Sequence, residues 1–340
     1  MREVAERAGV SVTTVSHVIN HTRPVSEQLS ERVKAAMDEL GYQPNQLARS
    51  LRVGATHTIG LILPDSANPF FAEIARGIED TGFEQGYSVI ICNTDNDQQK
   101  EQLYVSVLLE KQVDGMIFVS AGESTQAISA LQARQKPFVV VDRMVSNVET
   151  DSVMTDNARG GELAVTHLIQ LGHRRIGCIS GPSALSPSAD RLTGYRNALE
   201  AHGIPVEEAL IVKGDFHYQG GYAAALQLLT APAPPTAIFA LNDLMAIGAI
   251  AAAKKLGKRV PEDVSVIGFD DIDLAPYMSP ALTTIAQSKH QMGVVATSLL
   301  FERIHNRALP PRFRILGVSL IVRESTAPPP KNHSKMPTRN

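Results

Sequence analysis

The sequence predicts an α/β protein in two parts: a small all-α headpiece at the N-terminus and a two-lobed core of parallel sheets. Three observations carry this reading. Apolar residues recur at helical spacing from Val4 to Leu40. From Thr58 onward, short runs that are apolar throughout alternate with helix-length amphipathic stretches, the pattern of parallel strands covered on both faces. Such units are too many for one compact sheet, so the 340 residues divide into two similar lobes behind the headpiece.

In the headpiece, Val4, Ala5, Ala8, Val10, Val15, Val18 and Ile19 give two short helices one shared buried face across a turn at Gly9. Glycine can take the positive φ that such a turn demands. Ser11 is placed to cap the second helix, whose outer side offers Val12, Thr13, Thr14, Ser16, His17 and, at its end, Asn20. Short polar or methyl-bearing side chains of this kind suit base edges, thymine methyls and phosphates, so the pair reads as a helix-turn-helix. A third helix is expected over 27–40, with Val33, Ala36, Met37 and Leu40 on one face and Gly41 ending it. Pro44 blocks continuation, and Asn45 can cap a further short helix through Leu51.

In the core, strands are expected at 59–63, 89–92, 115–119, 138–141, 176–180, 237–240 and 264–269. Helices fill the gaps, including 70–85, 101–111, 159–171, 189–201 and 243–256, with a late one at 289–303. Ligands of open α/β sheets bind at the C-terminal strand ends, here in the crevice between lobes. The Pro-rich polar segment 327–340 is expected to be disordered.

Hydrophobic content of 44% with 20% charged residues is that of an ordinary globular protein. No apolar run approaches the roughly 18 residues of a membrane helix, and the first residues are not a signal peptide, so a cytoplasmic protein is expected. Cys92 and Cys178 each lie in an apolar strand-like run and read as buried free thiols. The net charge of −3, and a headpiece with seven Lys/Arg against six Asp/Glu, exclude DNA affinity by bulk charge. Affinity must come from placed contacts and two headpieces acting together. No phosphate loop, zinc spacing or nucleophile elbow occurs, so neither a metal nor another cofactor is expected, and no nucleophile-base pair suggests an enzyme. Residues 93–99 (NTDNDQQ) resemble a calcium loop but fail it: Lys100 stands where glycine is required and Ser106 where the closing glutamate belongs. His173 and His217 read as structural or rim groups.

The helix-turn-helix, followed by Tyr-x-Pro-Asn-x-x-Ala-Arg-Ser-Leu over 42–51, resembles the DNA-binding headpiece of the lactose/galactose repressor family, and the resemblance runs to about Thr326. It implies a headpiece over 1–44, a hinge helix and linker over 45–56, and a periplasmic-binding-protein-like core over 57–326. Lobe 1 would take about 57–155 and 288–315, and lobe 2 about 156–284 and 316–326, with crossovers near 155–157, 285–287 and 316–319. The family's hinge helix packs on its dimer mate and pushes a leucine into the minor groove. By motif match the wedge is Leu51, flanked by Asn45, Ala48, Arg49 and Arg52. A linker helix docked on the core is the plainer alternative. So short a helix should fold only with DNA and suitable lobe geometry. The family usually begins a few residues earlier, with a Thr cap that this chain lacks, which implies an upstream start or a frayed first helix. Its tetramers use a C-terminal heptad segment, absent here, so a homodimer on a pseudo-palindromic operator is expected.

Three segments at expected strand ends suit a sugar: Asn68-Pro-Phe70-Phe71, Asp142-Arg143 and Asn242-Asp243. Amide, carboxylate and guanidinium groups bridge neighbouring hydroxyls, and aromatic faces cover the apolar side of a sugar ring. Each has an ordinary alternative, such as Phe70 and Phe71 as core or Asp142 as a helix cap. The set resembles the pocket of ribose-binding proteins and ribose repressors, which by motif match adds Arg191, Phe216, Asp270 and Gln287. A pentose effector is the expectation. The purine repressors of the same family are the rival, although they carry an Arg where this chain has Leu185. A sugar receptor without DNA function is the alternative from another class. Whether the effector weakens or strengthens DNA binding is open, since ribose-type members are induced and purine-type members do the reverse.

Overall fold

The computed structural model describes residues 1–20, 22–42, 55–119, 125–142, 149–183 and 185–330. The chain forms two compact units, Met1–Thr56 and His57–Asn340.

The first unit holds α1 (Arg2–Ala8), α2 (Val12–Asn20) and α3 (Glu27–Glu39). Val4, Val15 and Val33, one from each helix, are fully buried against Ala5, Ala8, Val18 and Ala36. Gly9 ends α1 with φ 62° and ψ 42°. A Cβ there would stand 2.7 Å from Nη2 of Arg32, which donates to the Ala8 carbonyl at 2.5 Å. The glycine therefore serves both the turn and the docking of α3 on α1. No side chain caps α1, yet it is formed from Arg2 onward, with the Ala5 N–H donating to the Met1 carbonyl at 3.0 Å.

The second unit begins with β1 (Thr58–Leu63), α4 (Pro69–Glu84), β2 (Ser88–Asn93), α5 (Gln98–Glu110), β3 (Gly115–Val119), α6 (Thr125–Ala133), β4 (Phe138–Val141) and β5 (Asp151–Thr155). There follow α7 (Asn157–Gln170), β6 (Ile176–Ser180), α8 (Ser186–Ala201), β7 (Ile211–Lys213), α9 (Tyr218–Leu229), β8 (Ala237–Ala240), α10 (Asp243–Lys255) and β9 (Ser265–Ile267). The chain ends with β10 (Thr284–Gln287), α11 (Lys289–His305), β11 (Phe313–Leu316) and β12 (Val318–Ile321). One parallel sheet has the order β11-β5-β4-β3-β1-β2, the other β7-β6-β8-β9, and β10 pairs antiparallel with β12. The chain passes between the parallel sheets after Thr155, through β10, and between Leu316 and Val318.

The inner strands β3, β4, β6 and β8 of the parallel sheets are buried along their whole length, which is why they read as unbroken apolar runs, whereas the edge strands β2 and β11 are partly exposed. In β1, Leu61 packs with Ile74 of α4 and Leu300 of α11, whereas Ile62 faces Leu108 of α5 and Met116. Burial of each such side chain contributes about 1.5–3 kcal/mol. Helix starts follow local chemistry: the Asn68 side chain accepts from the Phe70 N–H with Pro69 at the first position of α4, and Asp97 and Asp156 cap α5 and α7.

Two expectations change. The strand expected over 264–269 is only β9, because beyond Ile267 the backbone leaves the sheet and pairs with the crossover: Gly268 N–H donates to Thr283 O and Asp270 N–H to Ile285 O. The tail expected to be disordered from Ala327 is anchored at its start. The Ala327 N–H donates to Ser265 Oγ at 3.0 Å, and its carbonyl lies 2.9 Å from Nε2 of buried His173. The segment NTDNDQQ is a cap and turn, with Asp97 accepting from the Gln99 N–H and Asp95 paired with Lys100. Cys92 and Cys178 are buried and unbridged. Among the described residues, no group of side chains could hold a metal ion, and no helix is long and apolar enough to cross a membrane.

Candidate functional site

In the headpiece, Ser11 Oγ accepts from the Thr14 N–H at 3.1 Å, the expected cap of α2. Val15 and Val18 turn inward, leaving Val12 and Thr13 exposed and Thr14, Ser16 and His17 half-buried. His17 Nδ1 lies 2.7 Å from Thr22 Oγ1, and Asn20 donates to the Ser16 carbonyl at 2.7 Å. Asn20 is therefore engaged in ending its own helix, and Val12, Thr13 and the first turn form the open face. The amide N–H groups of that turn also favour phosphate. Asn45, Ala48, Arg49, Leu51 and Arg52 lie outside the described residues.

In the core, the expected ligand residues stand at C-terminal strand ends: Asn68 and Phe71 beyond β1, Asp142 beyond β4, Phe216 beyond β7, Asn242 beyond β8 and Asp270 beyond β9. Arg191 projects from α8 and Gln287 ends β10. The centre is a buried polar network. Arg191, only 3% exposed, donates from Nε to Asn157 Oδ1 at 2.8 Å and from Nη1 to the Leu241 carbonyl at 2.6 Å. Nη1 also reaches Asp270 Oδ1 at 3.4 Å, and the guanidinium lies 3.8 Å from the centroid of the Phe269 ring. Gln287 Nε2 donates to the same Asp270 oxygen at 2.7 Å. Lys289, at the start of α11, donates to the carbonyls of Asp270 and Asp271.

Backbone geometry places this network. Asp270 has φ 119° and Asp271 φ 54°, both in the region that non-glycine residues rarely adopt, a strain associated with functional sites. Small residues bring α7 and α8 together: a Cβ on Gly161 would lie 2.4 Å from the Arg191 carbonyl oxygen, and one on Gly194 2.1 Å from that of Ala158. That close approach brings Arg191 of α8 within reach of Asn157 at the start of α7.

Burial pushes the Asp270 carboxyl up to about 6, against the lowering influence of Arg191, Lys289 and Gln287. Asp243 is raised well above the usual carboxylate range, first by burial and then by the Asp270 charge. It accepts from Thr284 Oγ1 and the Ile272 N–H, fixing the loop that carries Asp270. Gln287 Oε1 is buried with no hydrogen-bond partner, an acceptor whose donor must come from a bound molecule or water.

Some expected contacts are differently employed. Phe70 is 3% exposed within the lobe 1 core, with its ring edge-on to half-buried Phe71 at 5.1 Å, so only Phe71 is open to a ligand. Asn242 caps α10 by accepting from the Met245 N–H at 2.9 Å and donates to the Phe216 carbonyl at 3.0 Å. It thus holds the Phe216 loop, where Phe216 has φ 67°. Asp142 follows β4 with φ 65°, its N–H donating to the Val153 carbonyl, and Arg143 lies outside the described residues. His173 is structural: its ring lies between Thr236, Ser265 and Ala327. The sequence reading missed Asn157, Lys289 and Phe269. Each gains its role from a neighbour distant in sequence, and the one local signal was Asn157 following the crossover threonine.

Residues 56–324 match the family described as periplasmic binding proteins and the sugar-binding domain of the LacI family, and residues 1–45 match bacterial regulatory proteins of the lacI family. The ribose operon repressor of Escherichia coli (strain K12) is 43% identical over 89% of this chain and 92% of its own length. The transcriptional repressor PurR of Photobacterium profundum is 42% identical over 96% and 98%. A LacI family regulator from Enterococcus faecium, solved with bound ribose, superposes with TM-score 0.74 at 38% identity, covering 80% of this chain and 99% of that one.

Proposed function

The chain belongs to the LacI family of bacterial regulatory proteins, a DNA-binding transcriptional repressor and not an enzyme, and from that premise we propose that its effector is a pentose, D-ribose first, bound between the lobes. The observation that carries this is the buried Arg191–Asp270–Gln287 network. A carboxylate and a guanidinium side by side, with an amide oxygen still lacking a donor, suit a small molecule whose adjacent hydroxyls both donate and accept. The ribose-bound relative and the ribose operon repressor support the sugar. PurR, equally similar, keeps a purine as the second reading, which Leu185 in place of an arginine disfavours.

In this reading Asp270 accepts hydroxyl hydrogens in its ionised form, Arg191 donates to sugar oxygens, and Phe71 and Phe216 cover the ring. Arg191, Asp270 and Phe216 come from lobe 2, Phe71 and Asp142 from lobe 1, and Gln287 from the crossover. A bound sugar therefore favours the closed lobes. Lys289 extends that link, because it starts a lobe 1 helix while holding the Asp270 loop. Closure alters the separation of the segments entering a pair of headpieces, and with it the pairing of the hinge helices. The working unit is a homodimer in the cytoplasm, reading a pseudo-palindromic operator through Ser11, Val12, Thr13, Thr14, Ser16 and His17, with Leu51 as wedge. The test is calorimetric titration of the purified chain with D-ribose, hypoxanthine and a hexose panel. Heat from D-ribose alone supports the assignment. Tight hypoxanthine binding without pentose heat overturns it.

A further inference from the structure

The lobe 1 sheet has a second concavity at the end opposite the crevice, beside the N-terminal ends of β4 and β5, with a volume of about 460 Å³. Three cations converge on it: Lys136, which leads into β4, Arg303 near the end of α11, and Arg307 just beyond. Gln132 and Gln135 add amides, and Glu149 is the one acid among the described residues that line it. Arg303 is fixed in place: Nε donates to buried Asp151 at 2.7 Å, and its terminal nitrogens donate to the carbonyls of Leu309 and Pro310. Lys136 donates one hydrogen bond from Nζ to the Val113 carbonyl at 2.7 Å, which leaves two of its three N–H groups for another acceptor. Arg307 is exposed and makes no side-chain hydrogen bond or ion pair with the described residues.

Like charges placed this way oppose each other. Burial lowers the Lys136 pKa, the Asp114 carboxylate raises it, and the Arg307 charge lowers it again. Two cations sensing each other across a hollow, beside a third already anchored, are relieved by a bound anion. We propose that this concavity binds a phosphoryl group, carried by a small diffusible ester, with Lys136 and Arg307 as its ligands and the two glutamine amides on the organic part. A concave site with amides and Glu149 at hand suits a small ester better than duplex backbone, whose run of phosphates would meet the carboxylate. The site shares no residue with the effector crevice and does not depend on the pentose assignment.

The test is calorimetric titration of the intact chain with glycerol 3-phosphate, inorganic phosphate and glycerol, repeated on Arg307→Gln and Lys136→Gln. Glycerol 3-phosphate is expected to bind and glycerol not, with affinity falling about tenfold or more in each variant, the loss of one charge-assisted contact. Titration with D-ribose is expected to be unchanged. Equal affinity for inorganic phosphate makes the free ion the ligand, and tighter binding of the ester makes it the ester; both support the phosphoryl site. Arg307 is exposed, so its variant folds, and equal unfolding temperatures confirm it. Absence of ester binding, undiminished binding in both variants, or loss of ester binding in Asp270→Asn instead would overturn the proposal. So would variants that change only operator affinity and its salt dependence, which would assign the cations to DNA.

Discussion

Replacing Asp270 by Asn should make the effector-free protein more stable at neutral pH while weakening effector binding. The folded carboxyl titrates at about 6 against an ordinary 3.8, chiefly because it is buried. Since the folded value is the higher, Asp270 supports the fold fully below pH 3.8, and that support is lost as pH rises through about 6. At 1.36 kcal/mol per unit, the ionised side chain costs about 3 kcal/mol at pH 7.5 relative to the neutral acid. Asn copies the neutral acid: it can still accept from Gln287 and Arg191, yet carries no buried charge. The variant should therefore unfold roughly 6–12 °C higher at pH 7.5, with the advantage shrinking to about 1 kcal/mol at pH 4.5. Scanning calorimetry of both proteins at the two pH values measures this. Effector affinity should fall about 10- to 150-fold through loss of one charge-assisted hydrogen bond. A variant less stable than wild type at pH 7.5, or a difference independent of pH, would show that the buried Asp270 charge does not destabilise the effector-free fold.

Other outcomes follow from the same contacts. Ser11→Ala removes the cap of α2 and should cost the headpiece about 1 kcal/mol, visible as a lower unfolding temperature and weaker operator binding. Asp151→Asn breaks the pairing with Arg303 and Arg312 and should destabilise lobe 1 by about 3–5 kcal/mol in urea titration. Although burial works to raise the Asp151 pKa, the two arginines hold it below 3.8, so its contribution is present above that pH and lost as pH falls further; wild type should show this acid loss and the variant not. Lys289→Met frees the Asp270 loop and should weaken effector binding several-fold, with operator affinity in the absence of effector unchanged.

Much of the fold was legible because parallel strands buried on both faces are apolar throughout: β3, β4, β6 and β8 have the boundaries their sequences suggest. The strand β5 was missed because its first residue is a buried Asp151, tolerated only through arginines some 150 positions away. Likewise β7 is three residues long, and the two adjacent glycines of α9 conceal its start. In the site, motif matching found Arg191, Asp270 and Gln287, which do meet. It did not separate ligand-facing groups from those that hold loops in place, as with Asn242, or that complete a core, as with Phe70. That distinction depends on where an amide proton or ring goes after folding, which local pattern does not encode.

Coupling between crevice and operator is measured directly by the operator dissociation constant of the intact chain with and without saturating D-ribose, paired with the ribose dissociation constant with and without operator. Ribose is expected to change operator affinity about 5- to 150-fold, and operator to change ribose affinity by the same factor. Ribose that binds while leaving operator affinity unchanged would contradict that coupling.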